Sequence, residues 1–388
     1  MSESRLFPSF WLAGFESACH VNGRGVRLDL VRATQHDLQI REDYARVKGL
    51  GFGAVRESVR WHLVDRGPHL DFSTVLPVLA AARAEGIRVL WTLCHYGWPD
   101  DVDLFGGGFV ERFARYAAGL ARVVADSGEA EPWYNPINEI SFFAWAAGEV
   151  GYIHPHQVGR GAELKRQLVR ATLAAMDAIR EVDRRARFLH VDPLIHVVPP
   201  RGRPDLARAA AEQRASQFDA WDMLAGGHCP ELGGHPRYLD VIGLNFYHAN
   251  EWEYPDRRLR WEDTPRDPRW IPLRRLLEEV YHRYGRPLVL SETSHFGEGR
   301  ARWIREVAQE AAAARAEGVP LEGVCVYPVI DRPDWDDPDH WHHSGLWDLR
   351  PGAHGRLERV ACEEYVAELR EVQRALETGE LAGAAAAR

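Results

Sequence analysis

From about residue 10 to residue 376 the chain alternates short apolar runs of strand character with longer amphipathic segments of helical spacing. That alternation limits the possible folds more than any other feature. The strand-like runs are FWLAGF (10–15), GAVRESV (53–59), IRVLWTL (87–93), WYNPIN (133–138), RFLHVD (187–192), DVIGLNFY (240–247), RPLVLSE (286–292) and EGVCVYPV (322–329). They are short and rich in β-branched and aromatic residues, and WYNPIN is weakened by the proline in its middle. Between them, segments at 37–48, 72–85, 109–126, 162–185, 205–224, 270–284, 300–317 and 356–376 repeat apolar residues at three- and four-residue spacing. Glycines in KGLGFG, AEGIRV and AEGVPLEG fall between a helix and the next strand, where a left-handed cap is wanted. Eight strands each followed by a helix predict an α/β fold, a single (β/α)8 TIM barrel. The competing doubly wound sheet lacks a glycine-rich phosphate loop after its first strand.

No linker divides the chain, so the reading is one barrel domain over 1–376 and a low-complexity tail over 377–388. The weakly periodic stretches 194–204 and 250–269 predict long loops on that barrel. A net charge of −9 argues against nucleic acid or an anionic membrane as partner. No apolar run approaches the roughly 20 residues that span a bilayer. The N-terminal MSESRLFPSF has no basic segment followed by an apolar core, so the expectation is a cytoplasmic protein. Five scattered cysteines without a CxxC pair read as reduced thiols.

In a parallel barrel the strands' C-terminal ends converge on one face, where chemistry is placed. The second strand ends with Arg56, the third with His95, the fourth with Asn138 and Glu139. The sixth ends with Asn245 and Tyr247, the seventh with Glu292, and the eighth leads to Asp331, Asp334 and Trp335. Glutamates on strands four and seven would face each other across the barrel mouth. Cleavage of a glycosidic bond needs such a pair: one carboxylic acid protonates the leaving oxygen, the other attacks carbon or activates water. Their environments must push the two apart in acidity. Arg56 beside Glu292 would hold that group anionic, and apolar Phe142 and Trp145 would desolvate Glu139. The 14 tryptophans then have a use, since sugar rings present apolar faces to indole.

These motifs, in this order, resemble glycoside hydrolase family 1 over about residues 10–350. FESACHVNG (15–23) is similar to the family's SAYQxEG, RESVRW (56–61) to RFSISW, and TLCHYGWP (92–99) to TLYHWDLP. PINEI resembles FNEP, DVIGLNFYH resembles DFIGLNYYT, and VLSETS resembles ITENG. VYPVIDRPDW (326–335) resembles VWSLLDNFEW, and SGLWDL (344–349) the FGLxYVD that follows it. The resemblance implies a retaining β-glycosidase with Glu139 as acid/base and Glu292 as nucleophile, their carboxyl groups roughly 5–5.5 Å apart. It implies that Arg56 and Tyr247 orient Glu292, that Asn138 meets the sugar 2-hydroxyl, and that His20, His95, Asn245, Tyr327, Asp334 and Trp335 bind substrate. No metal or organic cofactor is implied, and the partner is a small-molecule or oligosaccharide β-glycoside.

The departures fall on substrate-reading positions. His20 stands for the family's Gln, Tyr327 for Trp, Asp334 for Glu, Thr293-Ser294 for Asn-Gly and Ile140 for Pro. Retained glutamates with changed sugar contacts point to a different sugar or aglycone. The acidic DWDDPDHWHHSG segment disfavours a phosphorylated sugar and leaves a neutral or amino sugar. Transglycosylation and a silent carbohydrate-binding barrel are the alternatives on the same scaffold. A metal hydrolase using HPH (154–156) or HWHH (340–343) would need its HxH on the first strand, not after the fourth.

Overall fold

The computed structural model describes residues 6–381. Eight strands form the barrel: β1 (Trp11–Gly14), β2 (Ala54–Ser58), β3 (Arg88–Cys94), β4 (Trp133–Ile137), β5 (Arg187–Pro193), β6 (Val241–Asn245), β7 (Leu288–Thr293) and β8 (Leu321–Val326). Each pairs in parallel with its sequence neighbours, and β1 closes the circle by pairing with both β2 and β8. All eight predicted strands are present. Pro136 has no N–H for the ladder, and β4 meets β5 only through Trp133 and Tyr134.

The outer ring holds α1 (His36–Gly49), α2 (Leu76–Glu85), α3 (Gly108–Asp126), α4 (Gly161–Val182), α5 (Ala207–Ala215), α6 (Asp219–Ala225), α7 (Leu273–Tyr284), α8 (Gly299–Ala316) and α9 (Glu363–Thr378). The helical pattern over 205–224 is thus two helices joined by a 3-10 turn at Ser216–Phe218. Gly86, the predicted stop in AEGIRV, caps α2 at φ 61°. Two side-chain layers make the core. Leu12, Ala54, Leu90, Trp133 and Val289 fill the barrel's interior, while a larger cluster lies between strands and helices. No helix among the described residues is long and apolar enough to cross a membrane. All five cysteines are free thiols.

Two expectations need correction. The segment 356–376 is not helical from its start: Leu357–Ala361 is a strand, antiparallel to Trp347–Pro351, before α9 begins. The loops at 194–204 and 250–269 are not structureless. His196–Val198, Glu251–Glu253 and Arg257–Arg258 form a small sheet that roofs one side of the barrel mouth. Strands this short leave no periodic signal in sequence. The last helix, α9, runs to Thr378, and residues 382–388 of the expected tail lie outside the described residues.

One buried polar cluster fixes β2 to its helix. Along β2 strict alternation sends Arg56 inward and Glu57 outward. Glu57 accepts from Tyr44 at 3.1 Å and meets His36 Nε2 at 2.9 Å. The other ring nitrogen of His36 meets Asp43 at 2.9 Å, and Arg359 from the added strand binds that same carboxylate at 2.8 Å. Burial pulls the imidazole's acidity one way, but Glu57 and Asp43 outweigh it and raise its pKa from 6.5 to about 9. A raised folded-state value means that the stabilisation is full below about 6.5 and is lost as pH rises through about 9. His36→Ala is expected to lower stability by roughly 3–5 kcal/mol. Urea unfolding at pH 7 reads this, and the gap from wild type should narrow in the same experiment above pH 9.

Candidate active site

The seventh strand shows how local backbone aims a carboxylate. Leu288 and Leu290 face the outer layer and Val289 the interior, so strict alternation would send Glu292 outward. The register with both neighbouring strands shifts between Leu290 and Thr293. That irregularity turns Glu292 into the mouth and leaves Thr293 outward, where it accepts a 2.8 Å bond from Trp303 of α8. Arg56 Nη1 donates to Glu292 Oε1 at 2.8 Å, and the Tyr247 hydroxyl donates to Oε2 at 2.8 Å. Both carboxylate oxygens are held by groups that favour the charged form.

Glu139 follows β4 in a left-handed backbone conformation, φ 47°. Its N–H donates to Val191 at 3.0 Å, and the next turn is capped by Asp192, which accepts from the Ser141 N–H and hydroxyl, both at 2.9 Å. Asn245 Nδ2 donates to Glu139 Oε1 at 2.9 Å, and the Tyr96 hydroxyl donates to Oε2. Burial, and then the charge of Glu292, push the Glu139 carboxyl up to about 8. One carboxylate is thus bound by a guanidinium and a phenol, and the other is driven towards its acid.

Both line one cavity of about 700 Å³ at the C-terminal end of the strands. His95, Tyr327 and Trp335 line it as well, and Phe142, Trp145 and Trp252 form an aromatic rim. Asn138 lies one layer below. Its Oδ1 accepts from Arg56 at 2.9 Å, and its Nδ2 faces His95 Nε2 at 3.2 Å and Tyr96 at 3.1 Å. Burial first, and Arg56 next, push His95 well below the usual imidazole range, so the ring is neutral. Its Nδ1 lies 3.1 Å from the Ser17 hydroxyl, which with the Asn138 bond fixes Nδ1 as the protonated nitrogen.

Four residues expected at substrate are not on the cavity wall: Asn138, Asn245, His20 and Asp334. His20 is fully buried, its ring 4.5 Å from that of Trp335. Asp334 is committed to its own loop: it accepts from the N–H groups of Asp336 and Asp337 at 2.8 and 3.0 Å and meets His342 at 3.0 Å. Asn245 braces Glu139 instead of facing open space. The cavity wall also carries a pair the sequence reading did not single out, Arg332 with Glu16 at 3.2 Å. Glu16 also accepts from the Ser17 and Ala18 N–H groups, both at 3.0 Å. Tyr96 was likewise missed. The signal was available, since CHYGWP puts Tyr where the family motif has Trp.

The side chains best placed to hold a cation are His248, Glu262 and His295, beside the cavity. His295 Nε2 and Glu262 stand 3.0 Å apart, and the two imidazole rings 4.1 Å apart. From HWHH, His343 approaches Asp331 and Asp348 at 3.7 and 3.5 Å, but Arg300 already binds Asp348 at 2.7 Å. His154 and His156 of HPH gather no third ligand among the described residues.

A closed parallel barrel with two unlike glutamates at the ends of its fourth and seventh strands has the architecture of the barrel glycosidases. No family model matches the chain. Among curated proteins it is similar to β-glucosidase A of Thermotoga maritima, 22% identical over 78% of this chain and 79% of that one. Its fold superposes on that of the β-glucosidase from Thermotoga maritima in complex with deoxynojirimycin, with TM-score 0.76, 17% identity and coverage of 97% and 99%. The AHE enzyme from Alicyclobacillus herbarius gives TM-score 0.71 at 19% identity, with 88% of each chain covered. In sequence the chain is distantly similar to a family 1 β-glucosidase, and it shares the fold of those enzymes.

Arg56 is only 2% exposed and its loss would leave Glu292 as a buried charge without a cation. Arg56→Leu is expected to destabilise the fold by roughly 3–5 kcal/mol. Adding Glu292→Gln should recover a large part of that loss in a double-mutant cycle measured by chemical unfolding.

Proposed function

We propose that the protein hydrolyses β-linked glycosides of a neutral or amino sugar, with retention, using Glu139 as acid/base and Glu292 as nucleophile. One observation carries this reading: two carboxyl groups share a cavity in opposite environments, Glu139 raised to about 8 by burial and by Glu292, and Glu292 gripped by Arg56 and Tyr247. That division is what double displacement requires.

In the first half-reaction Glu139 gives its proton to the glycosidic oxygen as the bond to the anomeric carbon breaks. Glu292 forms the new bond to that carbon, and the aglycone leaves as its alcohol. Glu139, now ionised, takes a proton from water, whose oxygen attacks the same carbon and releases Glu292 as carboxylate. Arg56 and Tyr247 hold Glu292 on the line of attack, and no cofactor enters either step. For the sugar, neutral His95, Tyr327 and Trp335 supply polar and aromatic contacts. The Arg332–Glu16 pair neutralises itself, and the loop that follows Arg332 carries the acidic Asp334 and Asp336, which supports an uncharged or amino sugar over a phosphorylated one.

A panel of aryl and natural β-glycosides tests the reading. Glu139→Ala should lose roughly 10²–10⁴-fold in kcat/KM on substrates with poor leaving groups and much less on dinitrophenyl glycosides, which need no proton. Glu292→Ala should be inactive on all of them, and azide should restore turnover with an inverted glycosyl azide as product. Absence of rescue in both variants contradicts the assignment of roles. The wild-type kcat/KM should fall as pH rises through about 8, where Glu139 gives up the proton it must deliver.

A further inference from the structure

We propose that Tyr96 is a positioning residue for the acid/base, giving Glu139 a hydrogen bond of fixed direction and tying it, through Asn138, to the same arginine that holds Glu292. This rests on the reading of Glu139 as acid/base and adds a group which that reading does not use.

The direction follows from valence. Arginine only donates, so the Arg56 Nη2 bond of 2.9 Å obliges the Asn138 carbonyl oxygen to face it. The amide nitrogen of Asn138 must then point the other way, to His95 Nε2 and to the Tyr96 hydroxyl at 3.1 Å. A phenol that accepts there has one proton left to give, and its acceptor is Glu139 Oε2. The other oxygen is served in the same manner. The Ser291 hydroxyl donates to Asn245 Oδ1 at 2.8 Å, which leaves the amide nitrogen for Glu139 Oε1 at 2.9 Å. With one donor on each oxygen, the proton of neutral Glu139 occupies a remaining lone pair, and the carboxyl group cannot turn without breaking two bonds. The leaving oxygen therefore receives its proton from one set direction.

Backbone geometry supports a functional role. Tyr96 and Glu139 both lie in the left-handed region, at φ 63° and 47°. For an aromatic residue that conformation is sterically disfavoured, and such residues concentrate at functional sites. The ring is 1% exposed and held by His95, Phe142 and Trp335 at centroid distances of 4.8, 5.3 and 5.8 Å. Packing alone would be served by phenylalanine, so the hydroxyl is the feature to explain.

The other groups facing Glu139 set the sign of the test. Glu292 on β7 and Asp192 on β5 disfavour its charge, whereas Tyr96 and Asn245 favour it. Neutral His95 and the Tyr247 phenol, held well above its usual range by burial first, add no charge of their own. Arg56 reaches it only through Asn138.

The full-length protein labelled with 13C-carboxyl glutamate reports the Glu139 titration directly, assigned by its loss in Glu139→Gln. Tyr96→Phe should move that midpoint up by about one pH unit. 3-Fluorotyrosine at position 96, a stronger donor of nearly the same shape, should move it down. In the same preparations Tyr96→Phe should slow alkyl glycosides more than dinitrophenyl glycosides. Equal midpoints in all three proteins, or shifts of one sign in both variants, overturn the proposal. If Tyr96→Phe fails to give the native near-UV circular dichroism, the fluorotyrosine shift decides alone. Opposite shifts in a protein that cleaves no β-glycoside would leave this bond standing and remove the hydrolase reading.

Discussion

A single guanidinium in the barrel's throat organises the site. Arg56 comes from the interior face of β2, is almost wholly buried, and sends separate donors to Glu292, to the Ser291 carbonyl at 2.7 Å and to Asn138. A buried cation is tolerable only with partners of this quality. Its partners are the parts that chemistry needs held. One arm binds the Glu292 carboxylate, and the other sets the amide orientation that passes through Asn138 and Tyr96 to Glu139. Two glutamates from distant strands are thereby referred to one origin, and their opposite environments follow from what each receives: a full positive charge on one side, neutral donors and the neighbour's field on the other.

The outer scaffold serves the same end. Glu57, next to Arg56, points outward into His36, Asp43 and Tyr44, so the position of Arg56 along the barrel depends on a second polar cluster outside it. Arg359 joins that cluster from the strand near the C-terminal end of the chain. This explains why Leu357–Ala361 is extended and not helical: as a strand it pairs with Trp347–Pro351 and carries Arg359 to Asp43.

The barrel was legible because its signal is repeated: eight apolar runs, eight amphipathic segments and glycines between them leave little room for another arrangement. The strand-end residues were legible for the same reason, since the topology forces them to one face. Other features depended on geometry that one-dimensional pattern does not carry. The irregularity that turns Glu292 inward is invisible in LVLSET, where plain alternation predicts the wrong face. Short strands such as Glu251–Glu253 have too few residues to show a period. His20 and Asp334 sit at motif positions of the family, yet a buried ring under Trp335 and a loop of backbone N–H donors take them off the cavity wall. Tyr96 was missed for a different reason, because a Tyr among aromatic residues looks like packing until its hydroxyl has a partner.

The central claim is that Glu292 bonds to carbon while Glu139 moves the proton. A 2-deoxy-2-fluoro glycoside with an activated leaving group should trap the glycosyl-enzyme, because the fluorine slows its breakdown more than its formation. Peptide mass spectrometry of the inactivated protein should place one sugar on Glu292 and none on the Glu292→Ala variant. A sugar on Glu139, or on neither glutamate in a protein that turns over the parent glycoside, would contradict the account.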